Sequence, residues 1–124
     1  MTRKEVAMFQ SINPFTNTVL AEYQPTPASD VQRKIEQSFS YQKEFRLSAM
    51  EVRAEKLKNA ARILREDKLS FATLMTQEMG KPIAQAEAEA EKCAWVCDYY
   101  ADNAEKFLAD EMIATDASKS FIAY

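Results

Sequence analysis

Two thiols are the residues of this chain with the most evident capacity for chemistry. Cys93 and Cys97 lie four positions apart in a helical pattern, so their side chains share one face of a helix. A cysteine becomes a nucleophile or metal ligand when a helix N-terminus or a basic neighbour favours its thiolate, and this pair lies in mid-helix. We therefore interpret both as reduced, small, buried apolar residues, with catalysis or metal binding as the alternative.

Carboxylates and aromatic residues surround these cysteines in the sequence. Glu87, Glu89 and Glu91 alternate along the helical pattern, so they point in different directions and predict a solvated face instead of a paired acid and base. Three aromatic residues recur nearby: Trp95, Tyr99 and Tyr100. At helical spacing such residues are typical of a core, and a ligand channel is the alternative.

The composition excludes several classes of function. The 124 residues include no histidine and one glycine, Gly80. This excludes imidazole-based triads and glycine-rich phosphate loops, which need backbone without a Cβ. The net charge of −3 comes from interspersed charges, so we expect no nucleic-acid partner. No apolar stretch approaches the roughly 20 residues of a membrane span, so we expect none. Residues 1–5 lack the apolar run of a signal peptide, which predicts a cytoplasmic protein.

The elements that must position these residues begin with short strands. Residues 11–23 carry β-favouring residues around a Thr-Asn turn, which predicts a hairpin or two edge strands. A Ser-x-x-Gln capping box at Ser29 predicts a helix over residues 30–46 with a single apolar core stripe. A second capping box at Ser48 opens a half-buried helix, and Asp67 offers a new helix start.

The second half of the chain contains residues that typically end and begin helices. Gly80 stands where a helix C′ residue usually lies, and Pro82 suits the first turn of a long helix over residues 82–110. Apolar residues at steps of three and four predict one seam on this helix: Ile83, Ala86, Ala90, Cys93, Cys97, Tyr100, Ala104 and Phe107. Two strands are predicted after it, over residues 111–114 and 119–124.

These elements predict a mainly α fold with short β-strands at both ends, an α+β arrangement. Residues 11–23 form the first strands, residues 30–110 the helical body and residues 111–124 the last strands. Neither strand pair has a large enough apolar face to be stable alone. We therefore expect residues 1–124 to be a single incomplete segment of a larger protein.

Four motifs in register resemble the start of an aldehyde dehydrogenase. They are INPFTNTVL at 12–20, RAEKL at 53–57, EMGKPI at 78–83 and CDYYA at 97–101. The EMGKP motif, the Ala/Glu-rich helix after it and FLADE at 107–111 are most similar to the succinate-semialdehyde dehydrogenase branch. The resemblance covers essentially the whole chain and implies the N-terminal helical part of the family's α/β fold.

The resemblance also implies an activity, the NAD(P)-dependent oxidation of an aldehyde to a carboxylic acid. In the family a cysteine nucleophile, an oxyanion-stabilising asparagine and a glutamate that activates water lie in motifs absent from this sequence. Cys93 and Cys97 match none of them. We therefore expect no catalytic residue in this chain, no NAD or NADP bound by it alone, and no activity from it alone.

Structural roles are implied for the remaining segments. The helices would wrap the cofactor-binding domain, and residues 111–124 would start an arm that joins subunits of a homo-oligomer. By the same resemblance, Ser11, Ile12 and Glu89 match positions where some members bind a monovalent cation through main-chain oxygens and one carboxylate. This chain has the longer Glu in place of the usual Asp. Lys92 matches a position that borders the substrate entrance.

A second interpretation needs no larger enzyme. The chain could be a stand-alone helical interaction module that binds partner subunits through the seam of the long helix and the unpaired strands. The sequence alone leaves both interpretations open.

Overall fold

A computed structural model describes residues 8–124 of the chain as four helices flanked by two short hairpins. The segment 1–5, where we expect no signal peptide, lies outside the described residues. The elements in chain order are β1 Phe9–Ile12, β2 Val19–Tyr23, α1 Ala28–Phe45, α2 Met50–Glu66, α3 Lys68–Met79, α4 Ile83–Phe107, β3 Glu111–Met112 and β4 Phe121–Ile122. The predicted fold class, mainly α with short strands at both ends, is confirmed.

The first hairpin pairs β1 with β2 in antiparallel register, with a bulge between Ser11 and Ile12. Its turn is built around Asn13, whose side-chain oxygen accepts hydrogen bonds from the backbone N–H of Phe15 at 2.9 Å and of Thr16 at 3.1 Å. Asn17 takes a positive φ of 58°, which asparagine tolerates better than most residues. The predicted Thr-Asn turn is therefore a hairpin turn.

Neither predicted capping box forms. The N-cap of α1 is Pro27, so Ser29 lies inside the first turn, and within the described residues no side chain caps that helix. The N-cap of α2 is Ala49, and the Ser48 hydroxyl instead donates to the Phe45 carbonyl at 2.6 Å. The Arg53 guanidinium binds the same loop by donating to the carbonyl of Ser48.

The apolar stripe of α1 is exposed, contrary to the predicted core stripe. Val31, Ile35 and Phe39 face solvent and line an open groove of about 730 Å³. Among the described residues, α1 buries none of its own side chains. The stripe is amphipathic as predicted, but the main packing of the described chain joins α2 and α3 to α4 and leaves α1 outside it.

Alanines form the interface where α4 packs on α2 and α3. The buried apolar residues of the described chain are Ala61, Ala72, Ala86, Ala90 and Ala94. Three of them lie on α4 at steps of four, along one ridge of the helix. Because alanine adds only a methyl group, this ridge lets the helix backbones approach closely.

The seam predicted for α4 is correct at Ala86 and Ala90 and wrong at Cys93. Cys93 is exposed and Cys97 half-buried, while Ala94 is fully buried. After Ala90, a period of 3.6 residues lets position 93 or 94 continue the ridge. The smaller Ala94 occupies the close contact, and Cys93 turns toward an open groove. Ile83, Tyr100 and Phe107, also predicted in the seam, are exposed.

The aromatic residues of α4 form an exposed cluster, contrary to the predicted core. The ring of Tyr99 lies 5.8 Å from that of Trp95, 5.5 Å from that of Tyr100 and 5.9 Å from that of Phe107. All four side chains are exposed to solvent. They cover one another in part, and the described elements do not bury them.

Candidate functional site

The turn of the first hairpin meets the end of α3. Gly80 ends α3 with φ 69°, and its N–H donates to the Thr76 carbonyl at 3.0 Å. A Cβ on Gly80 would lie 3.3 Å from Cγ of Pro14 in the hairpin turn. Next to this contact, the Ser11 hydroxyl donates to a carboxylate oxygen of Glu78 at 2.6 Å. The INPFT and EMGKP motifs are thus neighbours in space.

An open groove of about 780 Å³ runs along one face of α4 next to this junction. Lys81, just before the helix, and Glu89 line it and form an ion pair. Lys92 and both cysteines line the same groove one to two turns further along the helix. The groove therefore combines two ammonium groups, one carboxylate and two thiols, with Val96 among its apolar lining.

Two side chains of the predicted cation site have other partners in the structure. The Ser11 hydroxyl is bound to Glu78, and the carboxylate of Glu89 is bound to the ammonium of Lys81. Ile12, the third residue, pairs with Val19 at the end of the hairpin ladder. An ammonium group on Glu89 would compete with a monovalent cation for that carboxylate. The monovalent-cation site stays a prediction.

Lys92 lies in the groove as one of its charged residues, and its role at a substrate entrance stays a prediction. The residues that the sequence reasoning missed here are Lys81 and Glu78. Both belong to the EMGKP motif, which we interpreted as a helix end and as part of the family resemblance, without assigning a contact to either residue. The feature of the sequence that could have indicated them is the presence of charged residues next to Gly80 and Pro82, which end one helix and begin the next.

Ion pairs line the α2–α4 interface on its solvent side. The guanidinium of Arg65 binds Glu91 at 2.9 Å and Asp98 at 2.8 Å, and Lys58 binds Asp102 at 2.8 Å. The hydrogen bond to Asp102 raises the pKa of Lys58, and hydrogen bonds to Glu91 and Asp98 raise the pKa of Arg65. Each cation is therefore charged at neutral pH, and the Lys58 pair weakens only in alkali, above the ordinary lysine pKa.

The chemistry available to these side chains is binding and positioning. Among residues 8–124, no group of three or more histidine, cysteine, aspartate or glutamate side chains is arranged to hold a metal ion. Both cysteines are free thiols, as the sequence predicts. None of the helices described between residues 8 and 124 is long and apolar enough to cross a bilayer.

The curated proteins that are similar in sequence to this chain include succinate-semialdehyde dehydrogenases. The chain is 44% identical over 114 residues to a probable NADP-dependent succinate-semialdehyde dehydrogenase of Synechocystis, a match that covers 92% of this chain and 25% of that protein. It is 33% identical to the Escherichia coli succinate semialdehyde dehydrogenase Sad, again over 92% of this chain and 25% of the relative. The chain thus spans about a quarter of the length of the curated relatives it matches.

A similar solved structure is also a succinic semialdehyde dehydrogenase. The crystal structure of a Streptococcus pyogenes succinic semialdehyde dehydrogenase in complex with NADP+ superimposes with a TM-score of 0.88 at 33% identity, covering 93% of this chain and 26% of that one. The model of the aldehyde dehydrogenase family matches residues 1–124. The chain belongs to the aldehyde dehydrogenase family.

Proposed function

We propose that the chain is the N-terminal part of an NAD(P)-dependent enzyme that oxidises succinate semialdehyde to the dicarboxylic acid. The observation that carries this proposal is the 44% identity to the Synechocystis relative across 92% of this chain. In the reaction, the aldehyde and water give the acid while the nicotinamide accepts a hydride and one proton is released. The names of that relative and of the S. pyogenes structure support NADP as the cofactor of the whole protein.

The proposed contribution of residues 8–124 is structural. Four helices and two hairpins hold two of the family motifs together through the Pro14–Gly80 and Ser11–Glu78 contacts. The sequence has no histidine to act as a general base, and its two cysteines line the open groove of α4. We propose that the chain alone neither binds the cofactor nor oxidises an aldehyde.

Partners follow from the same proposal. The remainder of the enzyme would cover the exposed stripe of α1 and the aromatic cluster of α4, and β3 with β4 would begin the arm of a homo-oligomer. The exposure of Ile35 and Phe39, at 57% and 62%, supports such a partner. The cytoplasmic location and the absence of a nucleic-acid partner stay predictions.

A chimera tests the function directly. This chain replaces the matching segment of the S. pyogenes enzyme, and reduction of NADP is followed with succinate semialdehyde and with an uncharged aldehyde of similar length. We expect turnover with preference for succinate semialdehyde, and no aldehyde-dependent reduction of NAD or NADP by the purified chain alone. The isolated chain serves as the control for contaminating dehydrogenases.

Two results would contradict the proposal. Turnover that follows the isolated chain through purification would mean that it carries chemistry of its own. A chimera that folds and assembles but stays inactive would favour the stand-alone interaction module.

A further inference from the structure

The two thiols of the α4 groove are a feature that the proposed function does not use. Cys93 and Cys97 are both free, and both line the groove. Cys93 is exposed and Cys97 half-buried, so the pair is open to solvent in this chain. An exposed dithiol of fixed spacing on a rigid helix is a preorganised pair of soft ligands.

The spacing of the pair disfavours a disulfide. Residues four apart on a helix have Cβ atoms about 5–6 Å from each other. A disulfide requires Cβ atoms about 3.5–4.5 Å apart, so closing one here would bend the helix. At the zinc–thiolate bond length of about 2.3 Å, a metal ion with two such bonds bridges sulfurs up to about 4.6 Å apart. The helix therefore suits an ion held between the two sulfurs better than a direct S–S bond.

The donor set restricts which ion fits. Tetrahedral zinc needs four ligands, and in the part of the chain that the structure describes no third histidine, cysteine or carboxylate completes a group with this pair. Soft thiolate ligands select Cu(I), which forms stable two-coordinate complexes with two thiolates. The carboxylate of Glu89, one turn before Cys93, is held by Lys81.

We propose that Cys93 and Cys97 form a two-coordinate binding site for Cu(I). Binding replaces two S–H bonds with two S–Cu bonds and releases two protons, without any change in oxidation state. The resulting bis-thiolate centre carries one negative charge. Lys92 and Lys81 line the same groove and place positive charge near that centre. The site requires only the α4 helix and is independent of the proposed dehydrogenase activity.

Anaerobic competition with a coloured Cu(I) chelator tests the site on the full 124-residue chain. Cu(I) is supplied as its bathocuproine disulfonate complex, and loss of colour reports transfer to the protein. We expect one Cu(I) per chain at every protein concentration, whether or not the chains associate, with tighter binding at higher pH because the thiols must deprotonate. Cys93→Ser and Cys97→Ser should each weaken binding by at least about 100-fold. Loss of a group that only supports a ligand costs up to about that much at metal sites, and each of these substitutions removes a ligand itself.

Two control variants separate this site from non-specific copper binding. Met79→Leu removes an exposed soft sulfur outside the groove and should leave binding unchanged. The double variant Trp95→Cys with Cys97→Ser keeps two thiols but at a spacing of two, where helix side chains do not face each other, and should lose binding. Circular dichroism checks that each variant keeps its helices.

Several results would overturn the proposal. Binding retained by the spacing variant would show that any two thiols suffice. A ratio of half a copper per chain would place the ion between two molecules, and equally tight Zn²⁺ binding would contradict a two-coordinate site. An intrachain disulfide that closes readily in air would refute the argument from helix geometry.

Discussion

Gly80 connects two motifs that lie more than sixty positions apart in the sequence. Its φ of 69° lies in the left-handed region, where a Cβ is unfavourable, and it ends α3 as the sequence predicts. Its bare Cα also leaves room for Pro14 of the hairpin turn, since a Cβ would lie 3.3 Å from the proline ring. One residue thus serves both as a helix end and as a contact surface.

Replacing Gly80 with alanine should loosen the hairpin from the helices. The left-handed conformation costs an L-residue about 1–2 kcal/mol, and the new methyl group presses on Pro14. We expect faster amide hydrogen exchange at Asn13 and Asn17, whose N–H groups close the hairpin turn. Exchange at the end of α3 should also rise.

Gly80→Asn is the matched control for this substitution. Asparagine tolerates positive φ better but still carries a Cβ, so the hairpin should loosen while the end of α3 stays protected. Unchanged exchange at Asn13 in both variants would show that the Pro14–Gly80 contact does not hold the hairpin.

At the scale of elements, the alanine ridge of α4 sets how closely the helices pack. Ala86, Ala90 and Ala94 are 0–3% exposed, and ion pairs from Arg65 and Lys58 border the same α2–α4 interface. The paired side chains are 34–60% exposed, and exposed pairs contribute little because water screens them. Close contact along the ridge is therefore the larger source of stability.

Ala90→Leu should drive α4 away from its neighbours. Overpacking a close contact typically costs about 1–3 kcal/mol, so the thermal midpoint of the helical signal in circular dichroism should fall. Ala84→Leu is the control, because Ala84 lies on the same helix but is exposed and should change the midpoint little. Equal effects of the two substitutions would contradict a close-packed ridge.

Local signals predicted the elements well and their burial poorly. Gly80, the prolines and the Thr-Asn turn act on neighbouring backbone, so the helix ends and the first hairpin lie close to where the sequence places them. The last two strands are shorter than predicted, since β3 and β4 have 2 residues each instead of extending over 111–114 and 119–124. Which face of a helix is buried depends on residues distant in the chain. Apolar periodicity therefore identified the stripe of α1 correctly but could not show that α2, α3 and α4 leave it uncovered.

The groove of α4 was only partly predictable for the same reason. Helical spacing places Glu89, Cys93 and Cys97 on one side of the helix, but it does not show that Lys81 would bind Glu89 or that Ser11 would bind Glu78. The first of these pairs crosses a helix end and the second joins two separate elements. Such contacts depend on tertiary packing, and the 3.6-residue period of a helix gives no information about contacts with other elements.

At the scale of the whole molecule, the chain exposes more surface than a compact protein of its mass. Its accessible surface is 10333 Å². A compact monomer of this mass would expose about 6,800 Å². The described core consists of alanines, while large apolar side chains such as Phe39 and Trp95 remain more than half exposed. Exposed apolar surface of this extent is typical of surfaces that contact another protein, a ligand or a membrane.

The isolated chain should therefore be helical but loosely packed. We expect strong helical circular dichroism, a broad thermal transition, binding of a hydrophobic dye and self-association on size-exclusion chromatography. The double substitution Ile35→Glu with Phe39→Lys breaks the apolar stripe of α1 and should lower both dye binding and self-association. Phe15→Ser, which removes one apolar side chain outside that stripe, should have a smaller effect. A strictly monomeric species with a sharp cooperative melt and no dye binding would contradict this expectation, because the described surface would then be stable without a partner to cover it.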